Sequence, residues 1–285
     1  LVQAGLVQDA LQKAWPGLEV TVVPIRTAGD EASRLEKPTP WGQGIFTQEL
    51  ERALSEQKID VAVHSLKDMP TEANALFALG AVPRREDARD ALVSRGPRAL
   101  AELPPGATVA AGCPRRRAQL AWKRPDLQLR DIRGNVDTRL RKFRESNWDG
   151  MVLAQAGLNR LQPDLADLSI GTLHWEEMLC APGQGALGLQ VRSDDREMRE
   201  SLVALHDVET AQATQAERAF LQALGGGCQL PVGSYAEVMN GGMMVRGIAW
   251  LEGDLTPREG RQEGKAEQAV ELGLALAEQL RQARA

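Results

Sequence analysis

Residues 60–73 read DVAVHSLKDMPTEA. An apolar strand, Val61-Ala62-Val63, runs into His64, Ser65, Lys67 and Asp68 before Met69-Pro70 stops it. Such a strand end carries groups able to hold an anion and to steady a positive charge. Taken alone, the stretch also reads as an ordinary turn with a helix cap. A carboxylate set among cations is expected to stay ionised, because neighbouring positive charge lowers its pKa. In that state it accepts hydrogen bonds from N–H donors and stabilises a developing cation. His64 is as readily a packing residue as a ligand.

Arginines supply the second chemical signal. CPRRRAQL places Arg115, Arg116 and Arg117 at a strand-to-helix turn. DIRGNVDTRL puts Arg133 at the next strand end and Arg139 in the helix after it, and GLNRL puts Arg160 in the same relative place. Residues 115–160 hold twelve Lys or Arg against five Asp or Glu, in a chain of net charge −5. Ligands of open α/β sheets bind beyond the carboxyl ends of the strands, where helix N-termini already favour anions. Arginine grips carboxylate or phosphate in a planar two-bond fork. The pattern predicts a polyanionic ligand held by Arg115, Arg116, Arg133 and Arg139, with Lys67 joining them. Arg117, Arg141, Lys142 and Arg144 are expected on solvated helix faces.

The cysteines differ among themselves. Cys113 lies in the turn before the arginines, where its backbone N–H can face the ligand. Cys180 precedes Ala-Pro and reads as packing. Cys228 follows Gly225-Gly226-Gly227, and glycines let a backbone approach a neighbour closely. Two readings of that thiol stand, a nucleophile or attachment point and a free structural cysteine.

Elements must position these groups. Residues 1–14 are helix-periodic, with Leu6, Ala10, Leu11 and Ala14 on one face, and Pro16-Gly17 ends that helix. LEVTVVPI, 18–25, predicts a strand. Residues 26–44 have no clear period and read as a lid, a binding loop or a disordered stretch. A helix over 47–57 opens at Thr47. From 90 onward the chain repeats strand, turn and helix: DALVS, TVAAGCPRRRAQLAWKRP, LQLRDIRG, NVDTRLRKFRES with Asn135 as N-cap, and GMVLAQAGLNRL. Residues 181–195 predict a strand crossing back to the first unit. A long helix from 208, strands over 233–239 and 243–251 and a closing helix over 265–283 predict a small third unit.

Composition narrows the class. At 285 residues, about two domains are expected, or three small ones. No apolar run reaches the roughly 18 to 20 residues that span a bilayer. Three cysteines without C-x-x-C suggest a reducing compartment and no disulfide framework. Three histidines without ligand spacing argue against a metal site. An acidic chain with 4% aromatic residues and no recognised module argues against nucleic acid.

These pieces together resemble the porphobilinogen deaminase (hydroxymethylbilane synthase) family over almost the whole chain. The resemblance rests on GIFTQELERALSEQKIDVAVHSLKDMPTE, PRRRAQL, IRGNVDTRL, AGLNRL, APGQGALGLQ and AERAFLQALGGGCQLPVGSYAE. It implies an α/β fold, with two periplasmic-binding-protein-like domains with mixed sheets plus a small third α+β domain. The implied spans are 1–84 with 184–203, 89–178, and 207–285. It implies a transferase that joins four porphobilinogen molecules head to tail, releasing ammonia each time, on a covalent dipyrromethane primer, and then frees linear hydroxymethylbilane with water. Cys228 would carry that cofactor through a thioether. Asp68 would be catalytic, facing the pyrrole N–H groups. Ser65, Lys67, Cys113, Arg115 and Arg116 would bind the cofactor. Gln3, Phe46, Arg133, Arg139 and Arg160 would bind substrate or the growing chain, under a lid over 29–44. A cytoplasmic monomer that binds neither nucleic acid nor membrane is implied.

Three departures bear on this. Relative to the family, the chain begins just inside an Arg-x-Ser-x-Leu-Ala motif, so the first strand and its arginine are expected to be missing, as in a truncated chain. Ala110-Ala111-Gly112-Cys113-Pro114 replaces a turn that usually carries Thr and Ser, and Gly42-Gln43-Gly44 replaces Gly-Lys-Gly. The alternative reading is a protein that binds a small polyanion in the same cleft without catalysis.

Overall fold

The computed structural model describes residues 1–25, 47–72, 74–226 and 230–283. The expected lid over 29–44, with Gln43, and the candidates Phe46 and Cys228 lie outside them.

The first sheet is ordered β1-β8-β2, with β8 (Leu187–Arg192) between β1 (Ala62–Ser65) and β2 (Phe77–Ala81). Both ladders are antiparallel, with Ala62 opposite Gln190 and Phe77 opposite Arg192. The chain from 181 to 186 thus carries β8 back to the first sheet. Helix α1 (Val2–Ala14) packs here through Val7 and Leu11, against Ala81, Leu187, Leu189 and Leu202. The expected face is corrected, since Leu6 is 46% exposed. Leu6-Val7 and Ala10-Leu11 make a broad apolar stripe, and only the sheet selects which edge is covered. The strand expected over 18–25 has no ladder among the described residues. That segment is held instead by Gln8 Nε2, which donates to Val20 O at 2.6 Å. Helix α2 (Gln48–Ser55) follows Thr47 and buries Ala53 and Leu54.

The second sheet has the order β5-β4-β6-β3-β7. Its strands are β3 (Asp90–Ser94), β4 (Thr108–Ala111), β5 (Gln128–Arg130), β6 (Gly150–Ala154) and β7 (Ser169–Thr172). β4 is parallel to β5 and β6, whereas β3 is antiparallel to β6 and β7, so this sheet is mixed. β3 is buried on both faces: Ala91 and Val93 enter one core with Leu140 and Phe143, and Leu92 enters the other with Leu120 and Met178. Helices α3 (Pro114–Lys123), α4 (Val136–Glu145) and α5 (Gln155–Leu161) follow β4, β5 and β6. Asn135 caps α4, its Oδ1 accepting from Thr138 N at 2.8 Å, as the sequence predicts. The short helix α6 (Arg196–Leu202) follows β8.

The third sheet is the antiparallel meander β9 (Val232–Met239), β10 (Gly242–Ala249) and β11 (Arg258–Lys265). Helices α7 (Val208–Ala223) and α8 (Ala269–Gln282) cover it around Phe220, Val245 and Leu276. β11 is absent from the sequence reading, and the closing helix starts at Ala269 rather than 265. The strand reads REGRQEGK, and its inward positions include Gly260 and Gly264. A Cβ there would approach Leu280 at 2.7 Å and Leu272 at 2.9 Å. Leucines of α8 fill the inner face, so the strand carries no apolar alternation of its own. No helix among the described residues is long and apolar enough to cross a membrane.

Candidate active site

Alternation along β1 sorts the opening motif. Ala62 and His64 are buried, while Val63 and Ser65 are half-buried. His64 Nε2 lies 3.0 Å from Gln190 Oε1 on β8, and Gln190 Nε2 donates to Glu51 Oε1 at 3.0 Å. Burial pushes the His64 pKa down, against Gln190 and Glu51. His64 is therefore a neutral core residue with a hydrogen-bond partner. Ser65 lies beside Gln3 of α1, whose Nε2 donates to Ser65 Oγ at 2.9 Å.

After Ser65 a 3-10 turn, Leu66–Asp68, reverses the chain. Leu66 is buried against Val82 and Ala186, which anchors the turn. Lys67 is half-buried and Asp68 is open. Lys67 Nζ donates to Gln184 Oε1 at 3.4 Å. Burial lowers the Lys67 pKa, with Asp68 opposing. For Asp68, crowding by protein raises the pKa, although Lys67 and Arg139 both pull it down. The expected sign is thus reversed: desolvation outweighs the cations, although the residue as a whole is exposed. From behind, Arg218 of α7 donates to Leu66 O at 3.3 Å and to Met69 O at 3.1 Å. The third sheet's helix therefore grips the turn that presents Lys67 and Asp68.

Arg115 and Arg116 occupy the first turn of α3, each 5% exposed. Both point at Asp90, the fully buried first residue of β3. Arg115 Nη1 donates to Asp90 Oδ2 at 2.7 Å, and Arg116 Nη2 donates to Oδ1 at 2.7 Å. Burial pushes the Asp90 pKa up, but the two arginines dominate and hold it far below the usual carboxylate range. Two guanidiniums on one carboxylate leave an excess positive charge. Arg115 Nε is buried with no hydrogen-bond partner among the described residues. Cys113 stands at the N-cap position of the same helix without a side-chain capping bond; burial raises its pKa, but Arg115 and Arg116 outweigh that and hold the thiol below its ordinary value. Cys180 donates through Sγ to Ser234 O at 3.0 Å, and burial pushes its pKa up to about 12, as fits a packing residue.

Arg139 donates through Nε to Gly134 O at 2.7 Å, and its guanidinium lies over Gly112. A Cβ at Gly112 would meet Ile132 O at 2.4 Å and Arg139 Nη1 at 3.3 Å. Burial, with Arg116 and Arg133 nearby, lowers the Arg139 pKa to about 10. Arg133 pairs with Asp131 at 2.9 Å on the surface. Arg160 stands apart. Its Nη2 donates to Gly185 O at 2.7 Å, beside a cavity of about 660 Å³ that Arg84, Glu86 and Asn159 also line. Thus Lys67, Asp68, Arg115, Arg116 and Arg139 share one electrostatic neighbourhood, Arg133 flanks it, and Arg160 sits where the chain passes between sheets. Arg117, Arg141 and Arg144 are exposed, as expected.

The sequence reading missed Asp90, Gln184, Arg85, Glu217 and Arg218. Buried Glu217 pairs with Arg85 at 2.7 Å and accepts from Gly183 N at 2.7 Å and Ala236 N at 2.8 Å. A carboxylate opening the otherwise apolar strand DALVS was the one local signal, since an ionised group is buried only with partners. Among the described residues, no group of His, Cys, Asp and Glu could hold a metal ion.

Comparison with known proteins gives a consistent result. Residues 1–200 match the family model described as porphobilinogen deaminase, dipyromethane cofactor binding domain, and residues 211–282 match that of the porphobilinogen deaminase C-terminal domain. The chain is 45% identical to the porphobilinogen deaminase of Roseiflexus sp. (strain RS-1), covering 98% of this chain and 91% of that one. It is 43% identical to that of Thermus thermophilus, covering 97% and 90%. Among solved structures, the periplasmic VFT2 domain of Bordetella pertussis BvgS is 17% identical, with 71% of this chain and 75% of that one covered at a TM-score of 0.40.

Proposed function

The chain belongs to the porphobilinogen deaminase family, and from that premise we infer that it is a hydroxymethylbilane synthase. It joins four porphobilinogen molecules head to tail, releases ammonia at each addition, and frees linear hydroxymethylbilane with water. The carrying observation is the placement of one open carboxylate, Asp68, between Lys67 and Arg139, with the excess charge of Arg115 and Arg116 close by.

Each pyrrole ring of substrate and product bears an acetate and a propionate, so separate guanidiniums are the matching recognition groups. Arg133, Arg139 and Arg160 bind carboxylates of the substrate and growing chain, with Gln3 and Phe46 also contacting substrate. Asp68 accepts hydrogen bonds from pyrrole N–H groups in its ionised form. It stabilises the positive charge that spreads over a ring as ammonia leaves. The dipyrromethane cofactor, when bound, supplies the pyrrole to which the first substrate is joined. Ser65, Lys67, Cys113, Arg115 and Arg116 would hold its carboxylates, and Cys228 would carry it. The buried Arg115 Nε, without a partner among the described residues, supports that fit, because such a donor is costly unless a ligand acceptor meets it.

We assign residues 1–84 with 184–203 to a first domain, 89–178 to a second and 207–285 to a third. The three separate sheets support the division. A monomeric, cytoplasmic enzyme completes this reading. Intact mass of the purified protein tests the thioether. The expected result is a two-pyrrole addition that disappears in Cys228→Ser. An unmodified chain in fully active material overturns it.

A further inference from the structure

Three of the cations assigned to the cofactor come from two elements, Lys67 from the turn after β1 and Arg115 and Arg116 from α3, and two buried polar residues connect them. Asp90 opens β3 and accepts from Arg115 Nη1 and from Arg116 Nε and Nη2. A further donor on Asp90 is Gln184 Nε2, at 2.9 Å. Gln184 is fully buried on the segment that returns the chain to the first sheet. Its Nε2 also donates to Ala88 O at 2.8 Å, on the segment that leaves that sheet. Its Oε1 accepts from Lys67 Nζ at 3.4 Å. The amide can be oriented only one way: oxygen to the lysine, nitrogen to the carboxylate. One side chain therefore ties both inter-sheet segments, the β1 turn and the α3 arginines together.

We propose that Asp90 and Gln184 are positioning residues that set the spacing between Lys67 on the first sheet and Arg115 and Arg116 on the second, and so hold the carboxylate-binding cations in register across the junction. This rests on the reading that those three cations bind cofactor carboxylates. Asp90 fixes the forks of both arginines, and Arg115 Nε stays buried with no hydrogen-bond partner among the described residues. Gln184 transmits that position to Lys67, whose Nζ donates to its Oε1.

Gln184→Met, Lys67→Gln and the double variant test this, with cofactor loading read by intact mass, kcat and KM for porphobilinogen, and thermal stability. Gln184→Met removes the link without stranding an arginine. Loading or kcat/KM is expected to fall roughly tenfold or more, the scale of a hydrogen bond to a charged group. The double variant is expected to be no worse than the poorer single one, because coupled residues are not additive. Q184E adds a pH readout. Its introduced carboxyl must be protonated to donate to Asp90, so its activity relative to the wild type is expected to recover as pH falls. Wild-type loading and kcat/KM in Gln184→Met beside an impaired Lys67→Gln overturns the positioning role alone, as do additive losses or a flat Q184E ratio. Full loading and activity in Lys67→Gln overturns the underlying cofactor reading instead. A Gln184→Met chain that fails to fold leaves the Q184E pH ratio as the deciding measurement.

Discussion

Two arginine pairs stand at strand ends of the same sheet and differ in what they touch. Arg115 and Arg116 are buried and locked onto Asp90. Arg133 and Arg139 are half-buried; Arg133 pairs with the exposed Asp131, and Arg139 donates to the Gly134 carbonyl. The first pair is part of the folded structure before any ligand arrives. The second keeps more of its charge for a ligand, at the cost of a depressed pKa on Arg139. A covalently attached primer suits the buried pair, and a substrate chain that lengthens suits the less buried one. Charge count alone does not separate these jobs; the presence of a buried counter-ion does.

The contrast breaks most directly on Arg116→Ala. Removing one partner of a buried pair is expected to cost about 3–5 kcal/mol of stability and most of the cofactor loading, seen by denaturation and intact mass. Arg139→Ala is expected to change stability by less than about 1 kcal/mol; equal destabilisation of the two variants would erase the distinction. Asp68→Ala sits between the pairs and is expected to lower turnover by about a thousandfold with the fold intact, whereas near-normal product formation refutes its role. Arg139→Ala is expected to slow elongation roughly tenfold to a hundredfold, leaving discrete enzyme–substrate species by mass, and unchanged elongation counts against it.

Acid sharpens the same comparison. Asp68 has a raised pKa, so its ionised form is lost as pH falls through a value above the ordinary carboxylate range. Asp90 has a lowered one, so its contribution to stability persists to much lower pH. Turnover is therefore expected to fail at a higher pH than the α3 ion pairs, checked by a kcat profile beside a denaturation series. The smallest effect is reserved for the exposed arginines. Arg141→Ala breaks a surface pair with Glu145 and is expected to stay within about 0.5 kcal/mol, with unchanged kinetics.

Much of the second sheet was legible because its elements are locally encoded. β-branched and apolar runs end in glycine or proline, and Asn135 announces its helix. The strand-end arginines followed from the same pattern. β11 was hidden because its inner positions are glycines that receive leucines from α8. The buried face of α1 was misread because two overlapping stripes were equally apolar. The Asp68 shift was misjudged because neighbouring charges can be counted along a chain, but desolvation cannot.

By itself, the sequence determined the chemistry available: a carboxylate and a lysine in one turn, arginines at successive strand ends, and a cysteine after three glycines. It also determined the family, since those motifs together are specific. The tertiary structure alone decided which cations are spent inside the protein. Asp90 meets Arg115 and Arg116 across 25 and 26 residues, and Gln184 meets Asp90 across 94. No local pattern encodes such pairings, because they form only when burial between sheets removes water and leaves each polar group to find a protein partner. The same burial made His64 a core residue bonded to Gln190, and left Asp68 the open member of the motif.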